Sequence, residues 1–381
     1  MVDTQKAPIA PSQQTGPGGQ PRAETSYEKW IKGTGLPIHG GYYIEDGRTV
    51  ELGWWAEREC NAAFLMLEGL QGVSEARITE IPPGKTLPPL KFALDEVVYV
   101  LDGRGLTTVW RDEGKEKRTF EWQKHSMFLL PRNHFHQFSN AQGDKPVRLL
   151  HQSYLPLAMT AVPEPTFFFN NPQEFPDLMA GSSDDFYSEA SVIPSGRNNV
   201  RSQWIGNFFP DMRAWDKLVP FRGRGAGGTT VSIQFPGSPM TCHMSVFDPK
   251  TYKKGHRHGP GFVLVIPTGE GYSVMWQGDG EKVVVPWHEG SIFVPPRMWF
   301  HQHFNLGDTP ARYLALHPPR EFSSGEQVQG EANQIEYPYE DSFIRERFEG
   351  ELAKRGLTSI MPDEAYKDPT FEWDYTAFGD Q

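Results

Sequence analysis

Three histidines in the second half of the chain have the types and spacing of a metal site. His256 and His258 belong to the segment GHRHG, which precedes an apolar run, and His301 lies in a later apolar segment. Side chains two residues apart in a β-strand point to the same side, so His256 and His258 can converge while His301 approaches from a neighbouring strand. Imidazole binds iron, zinc, copper and nickel. The alternative is a solvated histidine pair in a surface turn, but we favour a three-histidine metal centre with open positions on the ion.

The segment around His301 occurs twice in the chain. FLLPRNHFHQFSN (128–140) and FVPPRMWFHQHFN (293–305) align without a gap and share Phe, Pro, Arg, Phe, His, Gln and Asn. Such an internal repeat indicates a duplicated domain. The first copy keeps His136 as the counterpart of His301, but it keeps no counterpart of the histidine pair. We therefore predict two related domains, of which only the second is equipped to hold a metal.

The charge balance restricts the partners of the protein. The chain has 381 residues, and 37 Lys and Arg against 48 Asp and Glu leave a formal net charge of −11. Nucleic acids and anionic membrane surfaces require a basic face, so neither is an expected partner, whereas a small anion can still bind in a locally basic pocket. The sequence contains neither an apolar run of about 18 residues nor a secretory signal pattern. Cys60 and Cys242 have no metal-ligand or redox spacing, which favours a cytoplasmic location with reduced thiols.

The elements that must position these histidines have an all-β pattern. Short runs rich in β-branched and aromatic residues alternate with turns containing Gly and Pro in both halves of the chain. Strands at this spacing, present twice, indicate two small barrels or sandwiches. We predict a disordered arm (1–25), an N-terminal barrel without metal (40–157), a connector (158–228), a C-terminal metal-binding barrel (229–318) and a tail (319–381).

The tail contains a strong helix pattern. In SFIRERFEGELAKRG (342–356), Phe343, Ile344, Phe348 and Leu352 recur at helical spacing and a glycine follows. The rest of this segment is charged, as on a solvated helix face. We therefore predict a helix in the tail of the chain.

Both repeat segments resemble the second motif of the cupin superfamily, which reads PxGxxHxxxN. PRMWFHQHFN (296–305) has the Pro, His and Asn, with Met298 in the Gly position. PRNHFHQFSN (131–140) has the same three residues, with Asn133 in the Gly position. The resemblance thus extends to both halves of the chain.

The first cupin motif, HxH followed by Glu and a Gly-rich turn, separates the two copies. EVVYVLDGRG (96–105) resembles it from the Glu onward, but the histidine slot of the first copy reads PPLKF (88–92). In the second copy both histidines are present and Phe262 occupies the Glu position. The resemblance, which covers about 75–157 and 230–318, implies a bicupin. Its two cupin (double-stranded β-helix, jelly-roll) barrels would stand in tandem before a helical tail, with three histidines and no carboxylate in the second barrel.

Three-histidine cupins include the gentisate 1,2-dioxygenase-type ring-cleaving enzymes, which the second barrel resembles. HRHGPGFVLVIPTGEGYSVMWQ followed by WFHQHFN is similar to the HRH, GxG and WxHxHxN arrangement of these enzymes. In that family a histidine two residues beyond the third ligand lies beside the substrate, and the matching residue here is His303. The resemblance implies a non-haem Fe(II) dioxygenase. It would use O₂ to cleave the ring of a small hydroxylated aromatic acid of the gentisate, salicylate or substituted salicylate type.

The ligand types agree with this chemistry. Three neutral ligands leave Fe(II) positively charged, and an anionic bidentate aromatic acid can neutralise the ion by chelation while a position stays open for O₂. His303 is the predicted catalytic residue, either as a hydrogen-bond partner of the substrate or as a base. The predicted substrate-binding residues are Arg297, His243, Phe262, Trp276 and Trp299, for which structural roles are the alternative.

Two other functions stay open from the sequence. One is a metal-dependent cupin isomerase, hydrolase or decarboxylase that incorporates no O₂, and the other is a non-catalytic binding bicupin. Retention of all three ligands in one barrel disfavours the binding protein. The first barrel, without ligands, is expected to be structural and to help form a homo-oligomer, because paired barrels bury strand edges.

Overall fold

The computed structural model describes residues 23–70, 72–111, 116–169, 171–172, 179, 184–188, 190–193, 202–214, 218–319 and 331–375. All but the last three residues of the predicted disordered arm (1–25) lie outside this part of the chain. None of the helices in the described ranges combines the length and apolar character needed to cross a membrane.

Strands form where the sequence has short runs rich in β-branched and aromatic residues between turn signals. In the first half they are β1 (Ile38–Gly41), β2 (Tyr43–Ile44), β3 (Gly53–Trp55), β4 (Cys60–Leu67), β5 (Glu75–Ile81), β6 (Leu90–Lys91), β7 (Glu96–Asp102), β8 (Arg104–Trp110), β9 (Arg118–Gln123), β10 (Met127–Leu130), β11 (Phe135–Asn140) and β12 (Val147–Ser153).

The connector and the second half contain the remaining strands. They are β13 (Ser191–Ile193), β14 (Gln203–Ile205), β15 (Phe208–Phe209), β16 (Val219–Pro220), β17 (Thr229–Gln234), β18 (Thr241–Phe247), β19 (Gly255–His256), β20 (Val263–Thr268), β21 (Gly271–Trp276), β22 (Val283–Trp287), β23 (Ile292–Phe293), β24 (Phe300–Asn305), β25 (Ala311–His317) and β26 (Gln334–Ile335).

Each half of the chain consists of one large and one small sheet. The first half has an 8-stranded sheet, ordered β1-β4-β5-β12-β7-β10-β15 with β3 also paired to β4, and a 4-stranded sheet, β6-β11-β8-β9. The second has a 9-stranded sheet, ordered β13-β14-β17-β18-β25-β20-β23-β2 with β16 also paired to β17, and a 5-stranded sheet, β22-β21-β24-β19-β26. The fold is thus all-β, with two jelly-roll units in tandem and a helical tail, which confirms the predicted class.

The two halves exchange strands. The N-terminal strand β2 pairs with β23 of the second half, where Tyr43 lies opposite Phe293. The connector strand β15 pairs with β10 of the first half, where Phe209 lies opposite Met127. Each large sheet therefore includes a strand from outside its own predicted barrel.

The large sheets of the two halves pack against each other through an apolar layer. Strand β18 shows how alternation divides its residues: Cys242 and Met244 belong to this layer, together with Ile78 and Val97 of the first half. His243, between the two, lies on the opposite side and lines a cavity inside the second unit. The period of two thus separates a dry layer between the units from a polar interior.

Three helices of the described residues cover the strands, at α1 (Ser26–Gly33), α2 (Leu155–Ala161) and α3 (Ser342–Ala353). The α3 helix is the predicted one, and its buried residues are Ile344, Phe348 and Leu352, whereas Phe343 is half-buried. The α1 helix was not predicted, although Thr25 and Glu28 form a capping box at its start. This capping-box pattern lies at the end of the segment 1–25, whose composition indicates disorder and therefore argued against a helix there.

Candidate metal centre

A small cavity lies between the two sheets of the second half. Its volume is about 160 Å³. Strands β19 and β24 contribute residues from the small sheet, and β18, β20 and β25 contribute residues from the large one. The lining residues are Phe221, Arg224, His243, His256, Arg257, His258, Phe262, Leu264, His301, His303, Tyr313, Ala315 and His317.

His256, His258 and His301 meet at one side of this cavity. His256 lies directly opposite His301 on the paired strands β19 and β24, with ring centroids 4.3 Å apart. Strand β19 ends at His256, so His258 comes from the following loop, where its carbonyl accepts a hydrogen bond from Met298 N at 2.8 Å. The potential ligand atoms of the three residues all lie within 4.8 Å of one another. They are the one group of this kind among the described residues.

The backbone fixes the tautomer of all three rings. His256 Nδ1 donates to the Lys254 carbonyl at 3.3 Å, His258 Nδ1 to the Gly259 carbonyl at 2.8 Å and His301 Nδ1 to the Trp299 carbonyl at 3.2 Å. Each Nε2 therefore keeps its lone pair, which is the form that binds a metal. Burial, followed by nearby charged groups, holds the pKa of His256 and His301 well below the ordinary value, so these rings stay neutral. The donor set fits a divalent transition metal ion.

His303 lies on the cavity wall beside this group. Its ring centroid is 5.5 Å from that of His301 and 4.8 Å from that of Tyr313. Its Nδ1 is 2.8 Å from Ser273 Oγ, and the same oxygen accepts a hydrogen bond from Trp287 Nε1 at 3.1 Å. Burial and then the Lys253 ammonium lower the pKa of His303 well below its ordinary value. His303 is thus a buried, neutral imidazole of the cavity that does not belong to the three-histidine group.

Two predicted substrate-binding residues line the cavity. Phe262 stacks between His258 and His317, with ring centroids 4.4 and 4.2 Å away. His243 Nδ1 lies 2.6 Å from His317 Nε2, so the two imidazoles share a hydrogen bond. Phe262, in the Glu position of the motif that this segment resembles, thus places an apolar ring between two imidazoles.

The other three predicted substrate-binding residues lie elsewhere. Arg297 is exposed in the turn before β24. Trp276 stacks on Phe300, 5.8 Å away, on the outer face of the small sheet, because side chains in β21 alternate and its neighbour Met275 points inward. Trp299 packs against Tyr42 of the N-terminal segment at 5.8 Å. None of the three is among the residues that line the cavity in the described chain.

The cavity also has residues that the sequence did not single out. No motif of the sequence points to His317, yet it lines the wall with Tyr313 and Ala315 because all three share one face of β25. The alternation of Leu314 and Leu316 in ARYLALH is a signal that could have revealed this face. Arg224 comes from the irregular connector, where no strand period exists to place it.

The corresponding place in the first half holds a buried ion-pair network. Leu90 lies opposite His136 as His256 lies opposite His301. Arg77 donates to Glu75 at 2.7 Å and also pairs with Glu96, whose other oxygen is 3.0 Å from His151 Nδ1. All four side chains are at most 7% exposed. The first unit therefore fills its interior with its own charges.

The comparisons with known proteins agree with this architecture. The family models that were compared do not match the chain. Gentisate 1,2-dioxygenase of Streptomyces sp is 25% identical over 123 residues, which are 28% of this chain and 33% of that enzyme. Glucose-6-phosphate isomerase of Pyrococcus abyssi is 26% identical over 145 residues, 33% of this chain and 73% of that one, and its counterpart from Pyrococcus furiosus is 24% identical over 148 residues, 34% and 75%.

Among solved structures, salicylate 1,2-dioxygenase from Pseudaminobacter salicylatoxidans matches with a TM-score of 0.51 and 17% identity, covering 71% of this chain and 79% of that one. This likeness concerns the fold. Together with the repeat, the two jelly-roll units and the histidine group, it leads to one conclusion. The chain has the fold of a bicupin of the cupin superfamily and resembles the gentisate 1,2-dioxygenase-type ring-cleaving enzymes.

Proposed function

We propose that the protein is a non-haem Fe(II) dioxygenase that uses O₂ to cleave the ring of a small hydroxylated aromatic acid. The observation that carries this proposal is the set of three imidazoles, each held by a backbone carbonyl so that Nε2 is available at the cavity. When bound, Fe(II) would supply Lewis acidity and electron transfer toward O₂. His256, His258 and His301 would hold the ion without cancelling its charge, which favours an anionic chelating substrate.

The size and lining of the cavity suit one aromatic ring. An apolar protein cavity of about 150 Å³ is large enough to bind benzene, and the cavity here measures about 160 Å³. Phe221, Phe262 and Tyr313 supply aromatic surfaces along its wall. A monocyclic acid therefore fits better than a larger substrate.

Arg224 is the proposed partner of the substrate carboxylate. It lines the cavity, and its Nη1 donates to Gln334 Oε1 of the tail strand β26 at 2.6 Å. A guanidinium held in this way can still direct other N–H groups at a carboxylate. This assignment replaces Arg297, which the structure places at the surface.

His303 is the proposed hydrogen-bond donor to the substrate. Trp287 Nε1 already donates to Ser273 Oγ, so the hydroxyl proton of Ser273 can go to His303 Nδ1. The proton of the neutral imidazole then resides on Nε2. In this tautomer His303 can donate to a substrate oxygen that becomes negative. Of the two roles predicted for His303, hydrogen-bond partner and base, we therefore propose the first.

Metal analysis and oxygen uptake test the proposal. Protein purified without oxygen should contain about one iron per chain, and gentisate, salicylate or a substituted salicylate should cause oxygen uptake with loss of the aromatic absorbance. A matched sample loaded with zinc should bind the acid without consuming oxygen. Iron-loaded protein that binds these acids but takes up no oxygen would contradict the dioxygenase assignment.

A second candidate is a metal-dependent isomerase that uses no O₂. The two glucose-6-phosphate isomerases of Pyrococcus that match the chain support it. Under this alternative, the metal-loaded protein would interconvert sugar phosphates under anaerobic conditions. Incubation of glucose 6-phosphate without oxygen, followed by product analysis, distinguishes the two functions.

A further inference from the structure

Tyr313, on the wall of the cavity, belongs to a second group of side chains that are suited to proton transfer. Tyr313 of β25 lines the cavity and is 6% exposed, and Lys253, just before β19, is 0% exposed. Lys253 Nζ lies 3.4 Å from Tyr313 Oη and hydrogen-bonds Ser245 Oγ of β18. A phenol, an ammonium and a hydroxyl thus meet where the two sheets of the second unit face each other.

The position of Lys253 is fixed by its surroundings. Its backbone N–H donates to the His303 carbonyl at 3.0 Å. Its Nζ lies 5.3 Å from the ring centroid of Phe247 and 5.0 Å from that of Tyr313, so the ammonium rests on two aromatic faces. An ammonium held this close to a phenol stabilises the phenolate over the neutral form.

The charges around Tyr313 act in the same direction. Burial by itself would raise the pKa of Tyr313, but the Lys253 ammonium, hydrogen bonds from Ser245 and Lys253, and the Arg224 charge lower it below its ordinary value. The other titratable rings beside it are His303 at 4.8 Å and His243 at 5.8 Å. By contrast, burial raises the pKa of Tyr272 on the outer face of the same unit.

We propose that Tyr313 is a catalytic residue that accepts the proton of a substrate hydroxyl, and that Lys253 and Ser245 position it for this task. The inference builds on the proposed function and narrows the substrate to acids whose hydroxyl reaches Tyr313. In the step, the Tyr313 phenolate takes the proton: the O–H bond of the substrate breaks, the O–H bond of Tyr313 forms, and the electron pair stays on the substrate oxygen. No oxidant is consumed, and the neutral His303 supplies the hydrogen bond while Tyr313 supplies the base.

The first test follows the ionisation of tyrosine by the near-ultraviolet absorbance of tyrosinate during a pH titration of the folded, zinc-loaded protein. The tyrosine that ionises at the lowest pH should be missing in Tyr313→Phe and should ionise at higher pH in Lys253→Met. Tyr272→Phe is the matched control, because this buried hydroxyl has no hydrogen-bond partner among the described residues, and it should leave that transition unchanged. Persistence of the transition in Tyr313→Phe would overturn the proposal, whether or not Lys253→Met folds.

The second test measures the acceptor directly. A nitro-substituted catechol changes its visible absorbance when it ionises, so its bound form reports proton transfer in zinc-loaded protein without turnover. The probe should bind as the anion to the wild type and ionise at higher pH in Tyr313→Phe, and equal ionisation in both would overturn the proposal. In iron-loaded protein, Tyr313→Phe should lower kcat about 10²-fold with unchanged metal content. If the titration and the probe behave as expected but no aromatic acid causes oxygen uptake, the dioxygenase assignment fails while the role of Tyr313 stands.

Discussion

The two jelly-roll units share the hydrogen bonds that connect their strands, but they differ in the side chains of their interiors. Asn140 and Asn305 occupy the same repeat position, and each side-chain amide donates to three backbone carbonyls near its strand. Trp122 and Trp287 likewise donate to the hydroxyls of Thr107 and Ser273. These side-chain hydrogen bonds are thus present in both halves.

The difference lies in a few inward positions. Leu90 of the first unit corresponds to His256 of the second, since each lies opposite the repeated histidine of its own unit, His136 or His301. Arg77 lies opposite His151 as His243 lies opposite Ala315, so Arg77 takes the place of His243. The first unit supplies its own buried cation, whereas the second presents imidazole lone pairs that can bind one from solution. The two interiors thus differ through a handful of side chains on a duplicated scaffold.

The strongest test of this difference removes a proposed metal ligand. His258→Ala should lower bound iron from about one per chain to near zero and abolish oxygen uptake, because two imidazoles hold a divalent ion poorly. The control is His136→Gln, in the repeat counterpart of His301, which should keep the full metal content. Metal analysis of folded protein checks both variants. Full metal content in His258→Ala, or loss of metal in His136→Gln, would contradict the comparison.

The second test breaks the network of the first unit. Arg77→Met leaves Glu75 and Glu96 buried without their cation, which should lower the free energy of unfolding by about 3–5 kcal/mol. The double variant Arg77→Met/Glu96→Gln should recover part of this loss, since one buried charge is removed. Urea unfolding measures the change, and metal content should not fall in the folded protein. An unchanged unfolding midpoint would show that the network is dispensable.

The third test concerns His303, a cavity-lining position at which the two copies of the repeat differ. His303 replaces the counterpart Phe138, and His303→Ala should keep iron but lose turnover by about 10²-fold. His288→Ala, at a histidine outside the cavity, serves as the control. Loss of iron would make His303 a ligand or the support of one, and unchanged turnover would make it structural.

The fourth test uses the pH dependence of stability. Burial, opposed by Glu96, lowers the pKa of His136 to about 3, whereas an unfolded histidine titrates near 6.5. Below that value the unfolded chain takes up a proton that the folded chain refuses, so stability is lost as the pH falls toward the folded pKa. The slope should be about 1.4 kcal/mol per pH unit for this group. Denaturant unfolding at several pH values should show a shallower slope for His136→Gln than for the wild type, and equal slopes would contradict the assignment.

The smallest expected effect compares the turns that precede the repeated histidines. Met298 and Asn133 occupy the motif's Gly position at φ 57° and 58°, in the left-handed region. Methionine is strained there and asparagine is tolerated, so Met298→Gly should stabilise the protein by about 1 kcal/mol. Asn133→Gly should gain less. Thermal unfolding of the two variants measures the difference, and an equal gain would show that the turns are not strained differently.

The homo-oligomer and the cytoplasmic location expected from the sequence stay predictions. Light scattering at micromolar concentration would measure the oligomeric state directly.

Much of the site was already determined by sequence, because its signals are local. The repeat identifies the two units, and the HxH pair with the repeated histidine predicts the group of His256, His258 and His301 that the structure brings together. Strand alternation also contains the information that puts Trp276 outside and His317 inside, since neighbouring side chains must point to opposite faces. The helix α3 followed from its apolar spacing.

Only the tertiary structure decided which distant segments complete the cavity. Arg224 of the connector meets Gln334 of the tail, and Lys253 meets Tyr313 across two strands. The exchange of β2 and β15 between the units is of the same kind, because backbone pairing with a distant strand leaves no pattern in either segment alone. The periodicity of a strand or helix determines which way a side chain points. The residue that this side chain contacts depends on the fold of the whole chain.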